Sequence, residues 1–190
     1  KIIKNALQKN HKIKLREIKE KSINKIVKIN IKNKNQVGSD RIANAVGVYK
    51  KYNNNCVVLD FGTATTFDVV TKKGIYNGGI IAPGIKLSIQ SLANSADQIS
   101  IFSLKKPKKT VGKNTIEALR SGFYWGYLGL INNIITKIQK ETKKKYKIIL
   151  TGGYADLFKT SIIRPFAIDK NITIKGIVEI FKKNKKYLIK

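Results

Sequence analysis

Residues 57–70 read Val-Val-Leu-Asp-Phe-Gly-Thr-Ala-Thr-Thr-Phe-Asp-Val-Val, and this stretch restricts the fold more than any other. An apolar run ends in an acid, a glycine and a cluster of threonines, then becomes apolar again. That is a β-hairpin pattern with its chemistry at the turn. Val57 to Leu59 is short and β-branched-rich, and Asn53-Asn54-Asn55 precedes it, so it reads as a buried strand. Gly62 lets the backbone turn sharply and brings its N–H groups close to a ligand. Thr63, Thr65 and Thr66 offer hydroxyls, and Asp60 offers a carboxylate at the strand end. These groups suit a phosphate and the cation that accompanies it. A tight polar hairpin with an Asp in its turn fits the same residues. Taken alone, the segment leans slightly to that plainer reading.

Composition limits what else the chain can be. At 190 residues it has room for one ordinary domain or somewhat more, and 42% hydrophobic residues supply a core. No apolar run is long enough to cross a bilayer, and Lys1 to Lys21 is too charged for a signal peptide. Cys56 is the one cysteine, which excludes an internal disulfide and fits a reducing cytoplasm. It adjoins a strand and reads as a core residue. His11 is the one histidine, which argues against His-based metal or triad chemistry. The net charge of +28 invites a nucleic-acid partner. However, the only arginines are Arg16, Arg41, Arg120 and Arg164, and the lysines are dispersed. Lysine, isoleucine and asparagine codons are rich in A and T, so coding bias accounts for the charge. Loose, salt-sensitive nucleic-acid binding is expected, and specific binding is not. The chain starts at Lys1 and has no methionine, so it reads as a piece of a longer protein.

Periodicity gives a coarse order of elements. Residues 1–35 are a Lys/Asn-rich lead-in in which Ile23 to Ile31 alternates like one strand. Ser39 to Tyr52 reads as a helix with Ser39 or Asp40 as N-cap and Ile42, Ala45, Val46 and Tyr49 on its apolar face. The hairpin follows, then a strand around Gly74 to Ala82, the turn signal Pro83-Gly84 and a helix from Ile85 to Ala93. Ile99 to Lys109 reads as a loop broken at Pro107. The clearest helix spans about Asn114 to Glu141, opened by an Asn114/Glu117 capping box. Its apolar face holds Ile116, Leu119, Phe123, Tyr127, Leu130, Ile131, Ile134, Ile135 and Ile138. Gly122, Gly126 and Gly129 fall on a related face and allow close backbone approach, within the chain or across a dimer. Lys147 to Leu150 is a strand leading into Thr151-Gly152-Gly153, and Tyr154 to Thr160 starts a helix. After an irregular stretch, Ile174 to Lys182 closes the chain as an amphipathic helix with Ile174, Ile177, Val178 and Phe181 on its apolar side. Three antiparallel strands followed by helix–strand alternation is the repeating half of the ribonuclease-H-like, actin-like ATPase fold, an α/β class. One complete βββαβα-type half is expected. Residues 1–50 are then a remnant of the N-terminal half with a linker helix, and residues 51–190 form the C-terminal domain.

With these motifs in order, the sequence resembles the type III pantothenate kinases. The matching pieces are Val37-Gly38-Ser39-Asp40-Arg41-Ile42-Ala43-Asn44-Ala45-Val46 and Asp60 to Asp68, then Gly78 to Ile85, Gly112-Lys113-Asn114-Thr115 and Thr151-Gly152-Gly153. Each motif is weak alone; five in register are not. The resemblance implies transfer of the terminal phosphoryl of ATP to the primary hydroxyl of pantothenate, the first step towards coenzyme A. It makes Asp40 the general base and Arg41 the partner of pantothenate's carboxylate, with Gly38 and Ser39 presenting backbone to the same substrate. It gives Asp60 a monovalent cation, potassium or ammonium, and Thr63 and Gly62 the nucleotide, which arrives with Mg2+. Thr115 would contact substrate across a homodimer, and Gly152 and Gly153 would approach the nucleotide. Helix capping by Asp40 and a helix-start role for Thr115 are the plainer readings of those two. A cytoplasmic enzyme without membrane or specific nucleic-acid partners is implied. Two features depart from the family. No Asp-x-Gly-Asn-Thr-like first phosphate turn is present, and Ile31 stands where the family often has an aromatic. The alternative is a non-catalytic nucleotide- or nucleic-acid-binding paralogue on the same fold.

Overall fold

The structure, a computed structural model, describes residue 18 and residues 26–96, 98–162 and 166–188. In chain order the elements are β1 (Lys28–Ile29), a 3-10 turn at Lys34–Gln36, α1 (Ser39–Tyr52), β2 (Cys56–Phe61), β3 (Ala64–Val70), β4 (Ile75–Pro83), α2 (Ile85–Ser95), α3 (Thr115–Thr142), β5 (Lys147–Gly152), α4 (Ala155–Phe158), β6 (Phe166–Ile168) and α5 (Ile172–Leu188). They build one six-stranded sheet in the order β1-β4-β3-β2-β5-β6. β2, β3 and β4 are antiparallel, and β5 and β6 add in parallel beside β2.

The hairpin forms in the expected register, with Asp60 opposite Thr66 and Phe61 opposite Thr65 across the Gly62-Thr63 turn. Strand alternation then sorts its side chains between two cores. Val57, Leu59 and Phe61 enter the core under α3, together with Phe67 and Val69. Cys56, Val58 and Val70 enter the other core, under α1 and α5. By the same parity Asp60 and Asp68 point to the α1 side. Cys56 is buried there and its thiol is pushed up to about 11 by burial, as befits a core residue.

Several expectations need correction. Helix α1 begins at Ser39, but the capping position belongs to Gly38, which is extended and offers no side chain. Asp40 lies in the first turn instead. The strand expected over Ile23 to Ile31 is β1 alone; Ile23 lies outside the described residues. The irregular stretch before the last helix contains β6, three residues long.

The apolar face of α5 is reversed. Ile172, Gly176, Ile180 and Asn184 are buried, while Ile174, Ile177, Val178 and Phe181 are 40–60% exposed. The cause is backbone contact with α1. A Cβ at Gly47 would lie 2.5 Å from the Ile172 carbonyl oxygen, and one at Gly176 would collide with the Ala43 carbonyl. In α3 the fully buried stripe is Ser121, Tyr124, Leu128, Ile131, Ile135 and Ile138. Ile116, Leu119, Phe123, Tyr127, Leu130 and Ile134 are only partly covered. Cβ atoms at Gly122, Gly126 and Gly129 would meet nothing, so these glycines admit no other part of the described chain. Trp125 stands 38% exposed on this outward side, its ring edge-on to Tyr124.

Candidate active site

The N-terminus of α1 and the ends of β2 and β5 meet on the α1 side of the sheet. Asp60 closes β2 with its Oδ2 accepting a hydrogen bond from Asn44 Nδ2 at 3.0 Å. Asn44 is fully buried on α1, and its own Oδ1 accepts from the Thr173 hydroxyl at 2.6 Å. Asp60 Oδ1 is directed towards the neighbouring turn, where a Cβ at Gly152 would sit 2.7 Å from it. Burial raises the Asp60 carboxyl above its usual range; the Asn44 donor opposes this and the nearby Asp40 charge adds to it. Asp40 therefore stands close enough to act electrostatically on Asp60. The Asp40 carboxylate folds back over Gly38, where a Cβ would collide with it.

Two turns border this carboxylate pair. Gly62 N donates to the Ala64 carbonyl at 3.1 Å and closes the hairpin. Gly153 N donates to the Phe61 carbonyl at 3.1 Å, which binds the end of β5 to the end of β2. Gly152 has φ +83, and a Cβ there would lie 2.6 Å from both Phe61 N and Phe61 O. Only glycine meets both demands. A Cβ at Gly153 would meet nothing, so the space above that turn is open. Of the three hairpin hydroxyls, only Thr63 is exposed. Thr65 and Thr66 are buried in β3, and Thr66 donates to Asp68 Oδ2 at 3.5 Å. Three candidate hydroxyls thus reduce to one.

Arg41 is already engaged. Its Nε donates to Asp68 Oδ1 at 2.8 Å, and Nη2 lies 2.7 Å from the same oxygen. Tyr76 donates its hydroxyl to that oxygen too, at 2.8 Å. Burial raises the Asp68 carboxyl, against the pull of Arg41 and Tyr76. The Asp68 side chain is fully buried, whereas that of Arg41 keeps 13% exposure. Sequence reasoning gave Asp68, Tyr76 and Asn44 no role. Alternation along β3 was the available signal, because it puts Asp68 on the side of Asp60.

Thr115 is not brought to this cluster. It starts α3 on the opposite face of the sheet, after the Asn114 cap whose Oδ1 accepts from Glu117 N at 2.9 Å. It lines an open groove of about 630 Å³ with Pro83, Gly122, Phe123, Gly126 and Tyr127. No group of three or more His, Cys, Asp or Glu side chains able to hold a metal occurs among the described residues. The Asn44 hydrogen bond takes Oδ2 of Asp60 and not Oδ1.

Residues 1–137 match the family profile described as type III pantothenate kinase. A type III pantothenate kinase of Pelagibacter ubique (strain HTCC1062) is 50% identical over 176 residues, covering 93% of this chain and 70% of the relative. The chain belongs to the type III pantothenate kinase family. Another type III pantothenate kinase, from Jannaschia sp. (strain CCS1), is 45% identical over 149 residues, 78% of this chain and 58% of the relative. One from Koribacter versatilis (strain Ellin345) is 41% identical, and 56% of its length is covered. The chain thus spans between 56% and 70% of these three relatives. A solved Campylobacter jejuni structure, described as that of a Baf family transcriptional activator, superposes with TM-score 0.67 at 22% identity. It covers 98% of this chain and 80% of that one. The α/β fold is that expected: a mixed sheet with the β2-β3-β4 meander and the parallel β5 and β6 beside it.

Proposed function

We propose that this type III pantothenate kinase chain contributes the acceptor side of a site that transfers the γ-phosphoryl of ATP to the primary hydroxyl of pantothenate. Asp40 accepts the hydroxyl proton as that oxygen attacks phosphorus, and Arg41 receives the substrate's carboxylate. Gly38 and Ser39 present backbone to the same substrate. Thr63, Gly62, Gly152 and Gly153 form the nucleotide side. Asp60 holds a potassium or ammonium ion through Oδ1, and Mg2+ accompanies ATP; such cations neutralise charge on the phosphates. Residues 1–50 belong with an N-terminal half and residues 51–190 form the C-terminal domain. The open glycine face of α3 meets a second copy, which brings Thr115 to the partner's site in a cytoplasmic homodimer.

The observation that supports this reading most is the convergence of Asp40, Arg41 and Asp60 on one side of the sheet, beside two glycine turns joined by the Gly153–Phe61 hydrogen bond. Its test is a coupled assay for phosphopantothenate with ATP and potassium. Asp40→Asn is expected to lower kcat by at least a hundredfold with the circular dichroism unchanged. Turnover retained in that variant removes Asp40 as the base.

A second reading has one observation in its favour. Lys105, Lys106, Lys108, Lys109, Lys113 and Arg120 gather around one opening, with Glu117 as the sole acid. A non-catalytic paralogue using this patch on nucleic acid would bind selectively at high salt. Binding that vanishes as salt rises rejects it.

A further inference from the structure

We infer that Asp68 and Tyr76 are positioning residues for Arg41. They fix its guanidinium so that one planar edge stays open for a carboxylate, which makes the site choose an acid over its neutral amide. The inference rests on the reading of Arg41 as the group that receives pantothenate's carboxylate.

The geometry of one oxygen carries it. Asp68 Oδ1 takes Arg41 Nε at 2.8 Å, Arg41 Nη2 at 2.7 Å and the Tyr76 hydroxyl at 2.8 Å. The guanidinium carbon also stands 5.9 Å from the centre of the Tyr76 ring. Gly79 completes the seat. A Cβ there would collide with the Phe67 carbonyl and would also lie 2.7 Å from Nη2 and 3.0 Å from Asp68 Oδ1. A guanidinium has five N–H donors in a rigid fork. Asp68 occupies the Nε–Nη2 edge. Among the described residues no partner takes Nη1 or the outer Nη2 proton, which stand side by side as the two parallel donors a carboxylate accepts. The Asp68 end of the pair is closed from water, whereas the Arg41 side chain keeps 13% exposure. An arginine held this way loses little rotamer freedom when substrate arrives, and a neutral amide offers its free edge only one acceptor oxygen.

A purely structural ion pair would alter stability without altering this choice. The test uses the full chain as wild type, Tyr76→Phe and Asp68→Asn, assayed with pantothenate and with its primary amide. Nitrogen-15 NMR of arginine side chains follows Nε–H exchange, with Arg41 assigned by Arg41→Lys. In the wild type, Arg41 Nε–H is expected to exchange at least tenfold more slowly than in free arginine. Tyr76→Phe keeps the ring and the fold; it should raise KM for pantothenate three- to tenfold with kcat within twofold, and leave KM for the amide unchanged. Asp68→Asn should raise KM for pantothenate more than tenfold and bring acid and amide to similar kcat/KM. An unchanged acid-to-amide preference in Tyr76→Phe and in folded Asp68→Asn overturns the inference, as does Arg41 exchange at the free rate. If Asp68→Asn does not fold, Tyr76→Phe decides. If the wild type phosphorylates neither compound, this chain is not by itself a kinase, and the dissociation constants of pantothenate and its amide in the same three proteins carry the comparison of acid with amide. The exchange rates then still decide whether Asp68 and Tyr76 hold Arg41.

Discussion

Gly152 shows how much a single missing side chain does here. Its φ of +83 and its contact with the Phe61 backbone are two separate demands, and both are met at the end of β5. Gly152→Ala is expected to cost about 2 kcal/mol from the left-handed backbone alone, with the collision added. Urea unfolding measures it, and a loss below about 0.5 kcal/mol contradicts the geometry. Gly153 stands in open space, so Gly153→Ala serves as the control. At this scale the sequence was partly legible. The glycines, Asp40 and Asp60 carry local signatures. Asn44 does not, because a buried amide in an apolar helix face gains its meaning from Asp60 and from Thr173, 129 residues away. Asp68 could be placed on the α1 side by counting along β3, but its partner Tyr76 lies on another strand.

Among the elements, the reversed face of α5 is the most instructive. Hydropathy picks Ile174, Ile177, Val178 and Phe181, and the structure buries Ile172, Gly176, Ile180 and Asn184 instead. Two helices that cross backbone to backbone need small residues at the crossing, and small residues score poorly on any apolar scale. The rule that reveals helices in sequence thus misorients those packed most closely. Gly176→Ala is expected to destabilise by about 1–3 kcal/mol through overpacking against Ala43. Gly122→Ala, on the open face of α3, is expected to stabilise the monomer by about 0.5–1 kcal/mol through helix propensity. Equal effects in thermal unfolding sink this distinction. The hairpin was read correctly because turn chemistry and period-two alternation agree there. β6 was missed because three residues cannot display a period.

Asp169 fastens the far end of the same layer. Its carboxylate accepts from Lys51 on α1 at 2.5 Å and from Lys175 on α5 at 2.8 Å, and it is almost fully buried. Burial pushes its carboxyl up, but the Lys175 and Lys51 hydrogen bonds prevail and hold it below the usual range. The folded value is thus depressed. The resulting stability is present above the unfolded value of about 3.9 and is lost as pH falls through the folded one. Both lysines are nearly half exposed, so the clasp is discounted to about 1 kcal/mol. Asp169→Asn is expected to lower Tm at pH 7 by a few degrees, with the gap closing in acid. A gap that widens below pH 4 contradicts the clasp.

For the whole molecule, the sheet sorts chemistry by side. The α1 side holds the carboxylates and Arg41, whereas the α3 side holds a core and an open groove. This division was legible only in part. The strand order near the hairpin followed from the pattern, but the parallel placement of β1 beside β4 joins residues 47 positions apart and leaves no local trace.

The outward side of α3 has a practical consequence. Trp125 is the chain's only tryptophan, and it stands there beside Gly122 and Gly126. Its fluorescence therefore reports on that face without any label. A half-wet indole emits towards the red, and a covered one emits towards the blue. If a second copy docks on the glycine face, the emission maximum shifts to shorter wavelength as protein concentration rises, and dilution reverses it. An emission spectrum that ignores concentration, in a sample that sedimentation shows to be dimeric, places the contact between copies elsewhere.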